Sequence, residues 1–208
     1  EPVTIRFSWW GGESRHKATL EAVDAFMKEY PWITVECEYS AWDGWQDKVA
    51  TQLAGGTAPD LMQINWNWLY QYSGDGSKFV DLNQYSDIIS LENFPEVNLE
   101  AMTVAGKLQG VPISVTSRLF MWQKTSFDKA GIEIPTTWDE FFALGEQAKE
   151  DGIALFTYPQ PGYFDATMYQ MLAQAGGMEF YNKAVNYDAN TWTSAEGKQV
   201  IDTIAKLA

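Results

Sequence analysis

The chain has 208 residues, enough for one large domain or two small ones at roughly 150 residues per domain. With 46% hydrophobic and 20% charged residues it has a globular composition rather than a disordered one, and no apolar run approaches the ~20 residues needed to cross a bilayer. The 28 acidic residues outnumber the 14 basic ones to leave a net charge of -14, which repels phosphate backbones and anionic headgroups and so argues against nucleic acid and membrane surfaces as partners.

Val3, Ile5, Phe7 and Trp9 alternate with polar residues and predict a strand, turned by Gly11-Gly12. A helix is expected over Ser14–Tyr30, with Leu20, Val23, Met27 and Tyr30 on one stripe and Pro31 as its stop. Ile33, Val35, Cys37 and Tyr39 alternate as a second strand. Asp43 is expected to cap a second helix, with Gln46 completing a capping box, as far as Leu53 and the Gly55-Gly56 pair. Leu61–Ile64 reads as a third strand. This β-α-β-α-β order predicts a parallel sheet.

The middle of the chain is less regular. Ser73–Ser77 lacks the spaced acids of a calcium loop and reads as a turn. Leu99–Ala105 is expected to be a short helix, followed by a turn and strand pair over Gly106–Ile113 and a strand over Leu119–Gln123. Thr137 with Glu140 predicts a capped helix to about Glu150, then a strand over Ile153–Thr157. Asp165–Ala175 predicts a helix closed by Gly176-Gly177, and Ser194 starts a last amphipathic helix through Leu207. No signal peptide is read ahead of Glu1-Pro2.

In open α/β sheets ligands bind beyond the carboxyl ends of the strands. Here those ends carry Trp9-Trp10-Gly11-Gly12-Glu13, Trp42-Asp43-Gly44-Trp45 and Asn65-Trp66-Asn67-Trp68, six of the ten tryptophans. An aromatic face covers the C–H face of a pyranose, while carboxylates and amides pair with its hydroxyls. The combination suits an uncharged polyhydroxylated ligand. Trp45 and Trp68, set further into the next element, read as packing residues, and so do Trp32, Trp138 and Trp192.

Other chemistries have less material. One cysteine excludes an internal disulfide and a cysteine-based zinc site, and one histidine excludes a multi-histidine metal site; no metal and no cofactor is expected. Cys37 reads as a small core residue beside Ile33 and Val35. His16, in the first turn of the first helix, reads as a surface or capping residue, with ligand contact as the other possibility. There is no phosphate-binding glycine loop and no nucleophile elbow. A carboxylate pair for glycoside hydrolysis can be drawn from Glu13, Asp43 and Asp165, but acids are abundant enough here to give such pairs by chance.

Within Ile5–Leu69 the chain has a strand ending Trp9-Trp10-Gly11-Gly12, a helix closing at Glu29-Tyr30-Pro31 and the run Gln52-Leu-Ala-Gly-Gly-Thr-Ala-Pro-Asp-Leu61. Further on come Gly106-Lys-Leu-Gln-Gly-Val-Pro-Ile113, Met121-Trp-Gln-Lys124, Lys129-Ala-Gly-Ile132 and Pro135-Thr-Thr-Trp-Asp-Glu-Phe141. These runs carry a resemblance to the N-terminal part of family-1 extracellular solute-binding proteins, the sugar-binding proteins of bacterial ABC importers related to the maltodextrin-binding protein. It implies an α/β, periplasmic-binding-protein-like two-lobe fold, present as an incomplete N-terminal part. An N-terminal lobe over 1–110 would lack its return segment, and 111–208 would hold the hinge crossing and the first part of the second lobe.

Carried over by position, the resemblance implies ligand contacts from Trp10, Glu13, Arg15, Trp42, Asp43, Asn65, Trp66 and Asn67. Thr116 and Arg118 would come from the crossover segment, and Tyr163 with Asp165 from a more loosely matched loop. It implies a non-enzymatic protein that binds a neutral carbohydrate in an aromatic-lined cleft and delivers it to an ABC transporter permease, outside the cell or in the periplasm, with a lipoprotein anchor as one form. The absent half would be supplied by the missing C-terminal segment or by self-association. The rival readings are a glycoside hydrolase or lyase, and a cell-surface lectin.

Overall fold

A computed structural model describes residues 1–116, 119, 121–155 and 164–207. They form two compact units, Glu1–Ile113 and Ser114–Ala208.

The first unit is built on a three-stranded parallel sheet in the order β2-β1-β3, formed by β1 (Val3–Trp10), β2 (Ile33–Ser40) and β3 (Leu61–Met62). β1 pairs with β2 along its whole length, from Val3 against Ile33 to Trp10 against Ser40. The Gly11 N–H donates to the Ser40 carbonyl at 3.0 Å, carrying the ladder one step further. On the other side Phe7 pairs with Leu61 and Ser8 with Met62, and the Gln63 N–H reaches the Ser8 carbonyl at 2.8 Å. β1 is thus the centre of the sheet.

Helix α1 (Glu13–Glu29) crosses from β1 to β2. Val23 is its buried residue, and Leu20, Met27 and the capping Tyr30 of the expected stripe are half-buried. Helix α2 (Trp45–Ala54) crosses from β2 to β3 and turns Trp45, Val49 and Leu53 inward, one per turn. Its cap differs from expectation. Gly44 stands at the N-cap with φ 75°, and no side chain caps the helix. The left-handed backbone there suits glycine and turns the chain before Asp43 can act as a cap.

A 3₁₀ turn (Trp66–Trp68) leads into α3 (Leu69–Ser73). Ser73–Ser77 is a turn as expected; the Ser77 N–H donates to Asp75 Oδ1 at 3.0 Å. The expected helix over Leu99–Ala105 is instead α4 (Glu96–Glu100) followed by a hairpin of β4 (Thr103–Val104) and β5 (Lys107–Leu108). Ala105 and Gly106, at φ 51° and 74°, form the two-residue turn that joins these strands. Alanine is a poor marker for such a turn, which usually carries Asn-Gly or Asp-Gly.

The second unit is helical among its described residues: α5 (Lys124–Ala130), α6 (Trp138–Glu150), α7 (Phe164–Val185) and α8 (Ala195–Leu207). α5 ends at Gly131, φ 66°, with Gly131 and Ile132 N–H groups donating back to Asp128 and Phe127. α6 has the expected capping box: the Glu140 N–H donates to Thr137 Oγ1, and Glu140 Oε2 accepts from the Thr137 N–H, each at 3.2 Å. α7 breaks at Gly177, φ 77°, where the glycine pair was expected to close it, but a further helical stretch follows to Val185. α7 and α8 share a core of Met171, Leu172, Ala184 and Val200, with Trp138, Phe180 and Trp192 against it.

Neither further strand expected in this unit is found among its described residues. Leu119 and 121–123 are not strand, and Leu119 and Met121 are highly exposed. Ile153–Leu155 are not strand either, while residues 156–157 of that expectation lie outside the described residues. A β pattern forms a strand only beside a ladder partner, and no described residue pairs with these.

Candidate functional site

The site grows from the last two residues of β1. Side chains alternate along a strand, so Trp9 and Trp10 go to opposite faces of the sheet. Trp9, 2% exposed, packs on the α1 side. It stacks on Tyr39 of β2 with ring centroids 4.9 Å apart, lies 5.0 Å from Phe7, and donates its indole N–H to His16 Nδ1 at 3.1 Å.

Trp10 goes to the α2 side and meets three other indoles. Its ring centroid lies 5.2 Å from Trp42, 5.6 Å from Trp68 and 6.1 Å from Trp45. Trp42 stacks on Trp68 at 5.1 Å. The four rings form two tiers. Trp45 and Trp68 are buried with Val49 and make the floor, as their positions in the sequence suggested; Trp10 and Trp42 lie on it half-buried. The floor is anchored by polar bonds: Trp45 Nε1 donates to the Gln63 carbonyl at 3.4 Å, and the Tyr72 hydroxyl to the Gln46 carbonyl at 2.9 Å.

Polar residues lie close in the chain to the upper-tier tryptophans. Glu13 opens α1 and is exposed, and Asp43 is exposed in the turn before α2. Since Gly44 starts α2, the Asp43 carboxylate is not spent on a cap. Arg15 Nη1 donates to the Trp10 carbonyl at 3.3 Å, so the first turn of α1 is tied to the end of β1. Asn65, Trp66 and Asn67 are half-buried in and before the 3₁₀ turn that delivers Trp68.

An ionic cluster lies on the same face of the sheet, away from its mouth. Arg6 hydrogen-bonds the Glu38 carboxylate and the Thr57 carbonyl, and its backbone N–H donates to Asp60 Oδ2 at 2.9 Å. Lys48 Nζ stands 3.6 Å from Glu38, and Gln52 Nε2 donates to it at 3.2 Å. Partial burial pushes the Glu38 carboxyl up. The hydrogen bonds from Arg6 and Gln52 and the charges of Arg6 and Lys48 outweigh that and hold it below the usual glutamate range. The cluster ties together β1, β2, α2 and the approach to β3.

Trp10 and Trp42 touch one another, and chain continuity places Glu13, Arg15 and Asp43 beside them. Asn65, Trp66 and Asn67 come with the segment that supplies Trp68. Thr116 is exposed and belongs to the other unit. Arg118 and Tyr163 lie outside the described residues. Trp32 does not have the packing role expected of it: it is 53% exposed and meets Tyr30 edge-on at 5.7 Å. Cys37 is half-buried rather than fully in the core. The sequence reading also passed over the tie between His16 and Trp9 and the stack of Tyr39. The ladder register, which sets Trp9 against Tyr39, was the clue to the second.

Among the described residues no group of three or more His, Cys, Asp or Glu is placed to hold a metal, and no helix is long and apolar enough to cross a membrane.

Comparison with known proteins extends this picture. The sequence profile of a family described as bacterial extracellular solute-binding protein matches residues 21–208. A probable sugar-binding periplasmic protein of Rhizobium meliloti is 25% identical over 207 residues, covering 96% of this chain and 49% of that protein. A periplasmic solute binding protein from Pectobacterium atrosepticum is 39% identical, with a TM-score of 0.74 over 99% of this chain and 52% of that one. A periplasmic oligogalacturonide binding protein from Yersinia enterocolitica, solved with saturated digalacturonic acid, is 43% identical, with a TM-score of 0.66 over 83% of this chain and 43% of that one. The chain spans about half the length of the curated relatives it matches. Its fold is that of the periplasmic solute-binding proteins, in part.

Proposed function

The chain belongs to the bacterial extracellular solute-binding proteins, and from that membership we propose that it supplies one wall of an oligosaccharide-binding cleft in an ABC import system. The observation that carries this reading is the two-tier tryptophan cluster at the carboxyl ends of the parallel strands. The upper rings offer flat apolar faces, and Glu13, Asp43, Asn65 and Asn67 supply acceptors and donors for hydroxyls. Exposed carboxylates beside the aromatic faces favour an uncharged sugar. The relatives compared are binding proteins, and the proposed role is capture and hand-over to a permease without turnover. Units Glu1–Ile113 and Ser114–Ala208 would belong to the two lobes, with Thr116, Arg118 and Tyr163 contributed from the second. The family is extracellular; a lipid anchor is one way of holding such a protein near its permease.

A second reading is favoured by Arg15. Its guanidinium is held at the mouth by the Trp10 carbonyl, and the first turn of α1 beside it has no side-chain cap. Both suit a uronic-acid carboxylate, and the Yersinia relative was solved with such a ligand.

The test is calorimetric titration of the complete protein with neutral malto- and xylo-oligosaccharides and with oligogalacturonides, alongside an assay for new reducing ends. Saturable binding without cleavage supports the importer role, and the series that binds chooses between the two readings. Cleavage, or no binding by either series, overturns it.

A further inference from the structure

His16 is the single histidine of the chain and stands one helical turn after the Gly11-Gly12 turn. It does not act as the surface or capping residue its position suggested. Its ring packs against Tyr39 with centroids 4.6 Å apart, and its Nδ1 lies 3.1 Å from the indole nitrogen of Trp9. An indole N–H can only donate, so Nδ1 must accept, which places the proton of the neutral imidazole on Nε2. We propose that neutral His16 is a positioning residue for the ligand-contacting end of β1, holding Trp10 in place through Trp9, and that its protonation releases that hold.

Trp9 and Trp10 share a peptide, so fixing one ring on the α1 face fixes the backbone from which the other projects on the α2 face. The same turn of α1 grips that backbone a second time, through Arg15 Nη1 on the Trp10 carbonyl. The Arg15 bond survives acid because a guanidinium stays charged. The His16 bond does not. A protonated ring carries N–H groups at both nitrogens, so two donors would face each other at Nδ1, and the Trp9 indole is too deeply buried to find water instead.

Tyr39 is the titratable group packed against the ring from β2, and Trp9, which meets it from β1, has none. On α1 itself Glu13, Arg15 and Lys17 are the charged residues nearest in the chain. The consequence is weaker ligand binding in acid, with the Trp10 environment changing even without ligand. The binding part of this rests on the ligand role proposed for Trp10.

The experiment uses the complete protein and two variants. His16→Asn keeps an acceptor oxygen near the place of Nδ1 but does not titrate; His16→Leu has no acceptor. Indole N–H resonances of Trp9 and Trp10 are followed between about pH 7.5 and about pH 5, the interval in which histidine ordinarily changes charge. Calorimetry with maltotriose and with digalacturonic acid is run at both ends. In the wild type both resonances should shift in acid, and affinity for the sugar that binds should fall on the order of fivefold or more. His16→Asn should hold both steady, and His16→Leu should resemble the acid form throughout. Resonances in the wild type that do not respond to pH, or that move equally in His16→Asn, overturn the proposal. So does a change at Trp9 that leaves both Trp10 and sugar affinity unmoved. If neither sugar binds at neutral pH, the carbohydrate reading fails, while the two resonances still decide the role of His16.

Discussion

Trp42 rests on Trp68, with ring centroids 5.1 Å apart and planes inclined by 29°. A half-exposed ring thus lies on one that is 4% exposed, and the two are expected to answer substitution differently. Trp68→Ala and Trp45→Ala empty buried volume and should cost about 3–5 kcal/mol of stability. Trp42→Ala should cost less stability but weaken sugar binding about 5- to 150-fold, taking the ~1–3 kcal/mol of base stacking as the scale. Trp32→Ala should leave both near wild type, because that ring is largely in water. Chemical denaturation and calorimetry on all four variants check the ranking. Loss of folding in Trp42→Ala with Trp68→Ala unaffected would reverse the two tiers.

The Glu38 carboxyl is held below the ordinary glutamate range. A carboxylate with a lowered folded value contributes its full stabilisation above the unfolded value and loses it as pH falls from there through the folded one. The first unit should therefore lose stability as pH falls through and below the glutamate range. Glu38→Gln should be less stable at neutral pH and lack much of that acid dependence. Melting temperatures across the acid range, compared between the two proteins, measure it; parallel curves would remove Glu38 as the cause.

Gly197, in the first turn of α8, is buried, and a Cβ there would sit 2.2 Å from the Thr191 carbonyl oxygen and 2.7 Å from Trp192 Cα. Both obstacles are backbone and cannot swing aside. The Gly197 N–H is held by Ser194 Oγ at 3.0 Å, and that hydroxyl in turn donates to the Thr191 carbonyl at 2.5 Å. Gly197→Ala should cost at least the ~1–3 kcal/mol typical of overpacking. Ser194→Ala, which removes only the polar ties, should cost about 1 kcal/mol. Thermal unfolding separates them; equal melting temperatures for wild type and Gly197→Ala would refute the packing.

Burial pushes the Cys37 thiol up, and the nearby charge of Asp24 adds to the effect. The native thiol should react with a disulfide reagent at neutral pH markedly more slowly than the same thiol in the denatured chain. Asp24→Asn should bring a modest increase in native rate. A native rate equal to the denatured one would contradict the placement of Cys37 on β2.

The parallel sheet was legible because Ile5, Phe7 and Trp9 alternate against polar neighbours, and because glycine pairs and Pro31 punctuate the helices. The mouth of the site was legible for a topological reason: in such a sheet the residues after each strand share one edge. What the sequence concealed was which face each tryptophan takes. Alternation sends Trp9 and Trp10 to opposite sides of β1, but which side meets α1 and which meets α2 is seen only in the packing of Trp9 on Tyr39 and His16 and of Trp10 on Trp45. The hairpin around Ala105-Gly106 was hidden because its first turn residue is an alanine. The strand expected over Leu119–Gln123 was overread because an apolar run becomes a strand only beside a ladder partner, and Leu119 and Met121 are instead highly exposed. Asp43 was overread because a capping motif cannot announce that a left-handed Gly44 will intervene.

Four indoles whose centroids lie 5.1–6.1 Å from a neighbour do not absorb light as independent chromophores. At such separations their transition dipoles couple and excitation passes among Trp10, Trp42, Trp45 and Trp68 faster than it is emitted. The near-ultraviolet circular dichroism of the first unit should carry a strong exciton signature, which vanishes on unfolding and weakens when any of the four is replaced. A sugar that touches only Trp42 should then dim the emission of the buried rings as well. The share of the emission that comes from these four rings should respond to a ligand collectively, and single-tryptophan replacements will not partition it into residue contributions.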